Sequence, residues 1–297
     1  MQLTTIPIVY SPRTDCMKFK QKVAISYIRT KFKILSSLSK KKTAEKAFEL
    51  FCTPQLRNLN DLPLAFKEAE ILHLKFQQFK IAGYRWNKGA VRKALILHGF
   101  ESSVINFEKY VNPLIKKGYE VLAFDAPAHG RSSGKQVNAI VYRDFIKHIL
   151  SEYGPIQSFM AHSFGGLAIS MALAEIKHDD RYRIVLIAPA TETKTAIDLL
   201  FQFLRLNDAI VRKEFEQIIT RMSGHHLSWF SIARTLKKIK AKILWIHDED
   251  DKITPLKDVL NIKEENYPNI QFIITKGLGH RRIYRDAKVG KAVIDFL

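Results

Sequence analysis

Apolar positions along the chain repeat in two alternating rhythms. Ala94-Leu95-Ile96-Leu97 is a short continuous apolar run closed by His98-Gly99, as expected of a strand buried on both faces. Ahead of it, residues 74–81 read as an early strand, with Gly83 marking a turn before a second edge segment. A helix is predicted at about 106–117 and stopped by Gly118. Strands follow at 119–124, 156–161, 183–188, 243–247 and 270–275, and helices at about 137–152 and 164–176. A further helix is expected to open at Thr254-Pro255, where Thr can cap and Pro suits the first helical position, and the chain ends in a helix after His280. The rhythm breaks once: between Pro189 and about Thr235 only helical periodicity is present, at 196–206 and 210–222.

This pattern predicts an α/β protein with a mostly parallel central sheet, helices on both faces, a helical cap insertion and an N-terminal basic helical extension. The expected division is an extension over 1–65, a core over 66–190 and 236–297, and a cap over 191–235. No internal repeat is visible.

Composition narrows the class. A 46% hydrophobic fraction and mean hydropathy of −0.12 fit a globular chain, and no apolar run approaches the roughly 18 to 20 residues of a membrane span. The opening residues lack the pattern of a signal peptide, and two cysteines, Cys16 and Cys52, are too few for a disulfide framework. A cytoplasmic setting is therefore expected. The net charge of +19 (pI about 9.8) favours association with anionic surfaces. Residues 1–65 carry twelve Lys/Arg against four Asp/Glu, including Lys40-Lys41-Lys42. No nucleic-acid motif accompanies the charge, so no specific nucleic acid is expected as a partner, and an ordinary solvated surface is the favoured reading.

Three segments carry chemistry, each at the C-terminal end of a predicted strand, where open parallel sheets bind ligands. In Phe159-Met160-Ala161-His162-Ser163-Phe164-Gly165-Gly166 a strand runs into a helix with a serine at the corner and small residues two before and two after. Such a turn is too sharp for larger side chains at the flanking positions, and it exposes the serine above the sheet. Next, the glycine turn His98-Gly99-Phe100 lets a backbone N–H face that serine; the amides of Phe100 and Phe164 would together form an oxyanion hole. His98, fixed at the strand end, is read as structural and bonded to a nearby loop. Last come an acidic run, Asp248-Glu249-Asp250-Asp251, and His280, freed by Gly277 and Gly279. The run could serve a cation or cap a helix. A serine needs an imidazole to take its proton, and the imidazole needs a carboxylate; the order Ser, Asp, His suits this architecture.

From about residue 74 to its end the chain resembles the α/β-hydrolase superfamily, in its esterase/lipase-like branch. The matching segments are His98-Gly99-Phe100, Asp125-Ala126-Pro127-Ala128-His129-Gly130-Arg131-Ser132 and Ala161 to Gly165, with Ala161 where the family has glycine. In the acidic loop Asp251-Lys252-Ile253-Thr254-Pro255 fits the family spacing, with Asp250 the nearest rival and Asp248 at a usual glycine. The resemblance implies a Ser163–His280–Asp251 triad with the Phe100 and Phe164 amides as oxyanion donors, and structural roles for Asp125 and His129. It implies a serine hydrolase of carboxylic esters or related acyl compounds, acting on a small-molecule ester-like substrate. Thioesterase, peptidase and lactonase chemistry share the scaffold, and a binding protein using its basic N-terminal surface is the non-enzymatic alternative. No metal or organic cofactor is expected; the adjacent His225 and His226 cannot share one helical face toward a metal. Phe201, Phe203, Trp229 and Phe230 are candidate pocket liners that could equally be cap core.

Overall fold

The computed structural model describes residues 19–297, with side chains from residue 22 onward. Cys16 and the opening segment read against a signal peptide lie outside the described residues. Eight strands form one sheet: β1 (Glu70–Phe76), β2 (Phe79–Trp86), β3 (Arg92–Leu97), β4 (Tyr119–Phe124), β5 (Ser158–His162), β6 (Arg183–Ile187), β7 (Lys242–Asp248) and β8 (Ile270–Thr275). Their order is β1-β2-β4-β3-β5-β6-β7-β8. The β1–β2 and β2–β4 pairs are antiparallel and the others parallel, which is the mostly parallel sheet the sequence predicts.

The helices are α1 (Phe19–Leu38), α2 (Lys40–Cys52), α3 (Leu64–Lys67), α4 (Glu108–Lys116), α5 (Ala139–Tyr153) and α6 (Phe164–Leu173). They continue as α7 (Thr193–Leu204), α8 (Ala209–Ser223), α9 (Ile232–Leu236), α10 (Lys257–Glu264), α11 (Gly279–Arg282) and α12 (Ala287–Phe296). Alternate residues of one strand feed opposite cores. Leu95 and Leu97 of β3 pack with Phe145 of α5 and Leu167 of α6, whereas Ala94 and Ile96 pack with Val111 of α4 and Val293 of α12. This two-faced burial explains why the central strands read as unbroken apolar runs. None of the helices among the described residues is long and apolar enough to cross a membrane.

Three local expectations differ from what is observed. The run 74–81 is not one strand but the two arms of a hairpin turning at Gln77-Gln78, with Phe76 opposite Phe79. Gln77 takes a φ of 50° there, so no Gly, Asn or Asp advertises the turn. Gly83 lies inside β2, where an added Cβ would sit 2.3 Å from the Phe124 ring. It marks a close approach of ring to backbone, not a turn. The helix expected to open at Thr254-Pro255 begins at Lys257 instead. Thr254 does not cap it, because its hydroxyl is bonded to Asp251.

The N-terminal helices pack on the helices between β6 and β7. Phe215 of α8 is met edge-on by Phe48 and Phe51 of α2 and by Phe201 of α7, at centroid distances of 5.6, 5.8 and 5.4 Å. Lys40 pairs with Asp208, the α8 cap, at 2.5 Å, and Arg29 Nε donates to the Phe203 carbonyl at 2.8 Å. The chain leaving α2 is held too: Val137 N donates to Cys52 O at 2.9 Å, and Gln55 N to Glu101 Oε1 at 3.0 Å.

Candidate active site

Ser163 stands between β5 and α6 with φ 53° and ψ −119°, a conformation that costs a non-glycine residue about 1–3 kcal/mol. The surrounding backbone holds it there. Ser163 N donates to Ile187 O at 3.1 Å, and Ser163 O accepts from Gly166 N at 2.9 Å and Ala190 N at 3.0 Å. Two glycines make room. A Cβ on Gly165 would lie 2.7 Å from His98 O, and one on Gly99 would lie 2.8 Å from Ser163 Cβ. At the other flank Ala161 is fully buried, so its methyl group is accommodated within the packing of β5.

His280, at the start of α11, places Nε2 3.0 Å from Ser163 Oγ and Nδ1 2.8 Å from Asp251 Oδ2. Asp251 is buried and saturated: Oδ1 accepts from Ile253 N and Thr254 N at 2.8 and 2.9 Å, and Oδ2 from the Thr254 hydroxyl at 2.8 Å. Burial alone would raise its carboxyl, but the hydrogen bond and charge of His280 and the amides of Thr254 and Ile253 outweigh it. The carboxyl therefore lies below the ordinary range. The rival Asp250 faces elsewhere, accepting from Gly277 N at 3.0 Å.

Sequence reasoning missed the residue that organises this corner. Asp248 Oδ1 accepts from Asp250 N at 3.0 Å and Gly279 N at 2.8 Å; Oδ2 accepts from the Thr275 hydroxyl at 2.6 Å and Leu278 N at 3.1 Å. One carboxylate thus ties the acidic loop to the loop that carries His280. Its only sequence signal was an acidic residue where the resemblance expected glycine.

The buried histidines each brace a loop. His98 donates from Nδ1 to Gly99 O (2.7 Å) and accepts at Nε2 from Ala126 N (2.9 Å). His129 donates to Pro127 O and accepts from Glu101 N, both at 3.0 Å. Asp125 receives Ser103 Oγ, Val104 N and Arg131 N. His98, Asp125 and His129 therefore hold the loop around Phe100. His162 packs against His280 with ring centroids 4.7 Å apart and planes tilted by 45°, and donates from Nε2 to His280 O at 3.0 Å. Its Nδ1 has no partner among the described residues. A bare lone pair in that position is compatible with the neutral ring.

These histidines predict acid lability. Burial drives the pKa of His98, His162 and His247 down, and that of His129 to about 3, from an ordinary 6.5. Below pH 6.5 the unfolded chain takes up protons that the folded chain refuses, so stability falls as pH drops from there toward the folded values. The slope is about 1.4 kcal/mol per pH unit for each such histidine. Urea unfolding midpoints should therefore decline steeply between pH 7.5 and 5; equal midpoints would show that these rings protonate in place.

Above Ser163 opens a narrow, largely apolar cavity of about 170 Å³. Near the serine it is lined by Phe100, Phe164, Leu167, Ala190 and Thr254, and farther out by residues of α2, α7 and α8. Neither the Phe100 nor the Phe164 N–H donates to an acceptor among the described residues. Of the candidate liners, Phe230 faces the cavity. Phe201 packs on Phe215, and Phe203 is engaged by Arg29. Trp229 is stacked on His225 at 4.1 Å and lies beneath the Arg234 guanidinium.

Residues 89–234 match the model of the family described as serine aminopeptidase, S33. Among curated proteins none matches the chain. Among solved structures, the esterase Pf2001 of Pyrococcus furiosus is 23% identical, with 82% of this chain and 95% of that one covered and a TM-score of 0.61. A predicted CIB-like hydrolase from Thermoplasma acidophilum is 18% identical over 77% and 97% of the two chains, with a TM-score of 0.55. Est1E from Butyrivibrio proteoclasticus, solved with ferulic acid bound, is 17% identical over 76% and 97%, with a TM-score of 0.57. At these identities the likeness concerns the fold.

Proposed function

We propose that this chain, which has the fold of the hydrolases it resembles, is a serine hydrolase that cleaves a carboxylic ester or related acyl bond through an acyl-enzyme on Ser163. The observation that carries this reading is the unbroken relay in which His280 bonds Ser163 Oγ with one ring nitrogen and Asp251 with the other. In the proposed reaction Ser163 Oγ attacks the acyl carbon while His280 Nε2 accepts the hydroxyl proton. Asp251 fixes the Nδ1–H tautomer and stabilises the imidazolium. The Phe100 and Phe164 amides receive the developing oxyanion, and they are free to do so because they donate to nothing else among the described residues. The intermediate collapses, His280 protonates the leaving alcohol, and a new ester joins the acyl group to Ser163. Water, deprotonated by His280, then attacks that ester, and Ser163 recovers its proton as the acid departs.

The helices of residues 191–235 serve in this proposal as the cap that screens the acyl group from solvent. The test is covalent. A fluorophosphonate probe should label the native protein, and peptide mapping should place the adduct on Ser163. A protein that hydrolyses no p-nitrophenyl ester and takes no label would sink the proposal.

A further inference from the structure

We infer that helix α2 forms one wall of the acyl site and that the site selects uncharged hydrocarbon acyl groups over the charged amino-terminal residue of a peptide. This inference rests on the reading of Ser163 as nucleophile and adds the class of substrate to it.

The first ground is the chemistry of the cavity wall. Among the described residues that line it there is no Asp, Glu, Lys, Arg or His. The few polar side chains are largely committed. The Thr254 hydroxyl is bonded to Asp251, and Asn138 Oδ1 caps α5 by accepting from Val141 N. Asn138 Nδ2 lies 3.8 Å from Met222 Sδ. The Cys52 thiol is buried, which pushes its pKa up to about 12, so it lines the wall as a neutral apolar group and not as a second nucleophile. One buried hydroxyl, that of Thr193, has no partner among the described residues. It is too little to hold an ammonium group. An α-ammonium carried into such a site would lose its hydration and meet no carboxylate, which is strongly unfavourable. A hydrocarbon chain gains from the same transfer.

The second ground is where the wall comes from. Phe48, Phe51 and Cys52 of α2 face the cavity together with Ile219 and Met222 of α8. Ala196 and Leu199 of α7 complete that side. The α2 helix is fixed in place by the ring cluster on Phe215, by the Lys40–Asp208 pair and by the Val137-to-Cys52 backbone bond. The segment that looked like a basic appendage thus turns a solvent-facing charged side outward and an aromatic side into the site. Its exposed lysines and its half-buried phenylalanines belong to opposite faces of one amphipathic helix. Chain length and shape of the acyl group are accordingly read by residues that lie more than a hundred positions ahead of Ser163 in sequence.

The experiment uses the full chain and a series of p-nitrophenyl esters from acetate to dodecanoate, with alanine p-nitroanilide as the aminopeptidase substrate. For the native protein kcat/KM should rise with each added methylene, by at most about fourfold per step, until the cavity is full, and the anilide should be inert. Phe48→Ala and Phe51→Ala should each lower the octanoate-to-acetate ratio of kcat/KM by about tenfold. Because truncation in an aromatic cluster can unfold a protein, Ala196→Trp provides a second approach. It fills the cavity from α7, outside the aromatic cluster of α2, and should move the optimum to shorter chains. A flat chain-length profile, an unchanged octanoate-to-acetate ratio in all three variants, or faster turnover of the anilide than of any ester would overturn the inference. Failure of the fluorophosphonate probe to label Ser163 would overturn the serine-hydrolase reading beneath it. Labelling combined with a flat profile removes the substrate class alone.

Discussion

Replacing Ser163 with alanine will lower kcat for p-nitrophenyl acetate by about 10⁴–10⁶-fold and abolish fluorophosphonate labelling. The size of the effect follows from the lack of a substitute nucleophile. The Thr254 hydroxyl donates to Asp251, and the Cys52 thiol stays protonated in its apolar wall. The residual rate is what the oxyanion amides and substrate binding supply by themselves. The fold should survive, because alanine meets the same positive-φ strain as serine and the backbone bonds to Ile187, Gly166 and Ala190 are untouched. Thermal unfolding of the variant within a few degrees of the native protein would separate lost chemistry from lost structure. An S163A protein that retains native esterase activity would place the nucleophile elsewhere.

The second large effect distinguishes two neighbouring carboxylates. Asp251→Asn should reduce kcat by about 10⁴-fold, since an amide cannot hold the Nδ1–H tautomer of His280 or stabilise its cationic form. Asp250→Asn should stay within about tenfold of native activity, because its side-chain oxygen can still accept from Gly277 N. Steady-state kinetics of the two variants side by side make the comparison, and equal losses would contradict the assignment. The ionised Asp251 also favours folding. Its carboxyl lies below the ordinary range, so its contribution is present at neutral pH and disappears as pH falls through the folded value.

Much of this architecture was legible in the sequence because two-sided burial leaves a strong trace. Strand β4 reads directly from the apolar run Val121 to Phe124, and the corner at Ser163 is flagged by small residues that the backbone contacts of Gly165 require. What was misread lacked such a trace. The β1–β2 turn at Gln77 carries no turn-forming residue, whereas Gly83, which looks like one, answers to the ring of Phe124 across the sheet. Thr254 and Pro255 have the composition of a helix start, but the threonine hydroxyl is drawn to a buried carboxylate three residues back. Asp248 was passed over because its four acceptor bonds reach residues up to 31 positions away, and no local pattern encodes that. The role of α2 was hidden for the same reason. Amphipathic periodicity says that a face will be buried, not what that face will meet.

The placement of Phe48, Phe51 and Cys52 in the cavity wall also links occupancy to the integrity of the chain's front end. An occupant that touches both α2 and α8 bridges segments that also meet through a ring cluster on Phe215 and the Lys40–Asp208 ion pair. By thermodynamic linkage it must resist any opening that parts them, by about 2.7 kcal/mol at a hundred times its dissociation constant. In the proposed reaction, local opening of α2 would therefore be coupled to release of the acid product. The helix would act as a latch, and the fit of the acyl chain would set how tightly it stays shut.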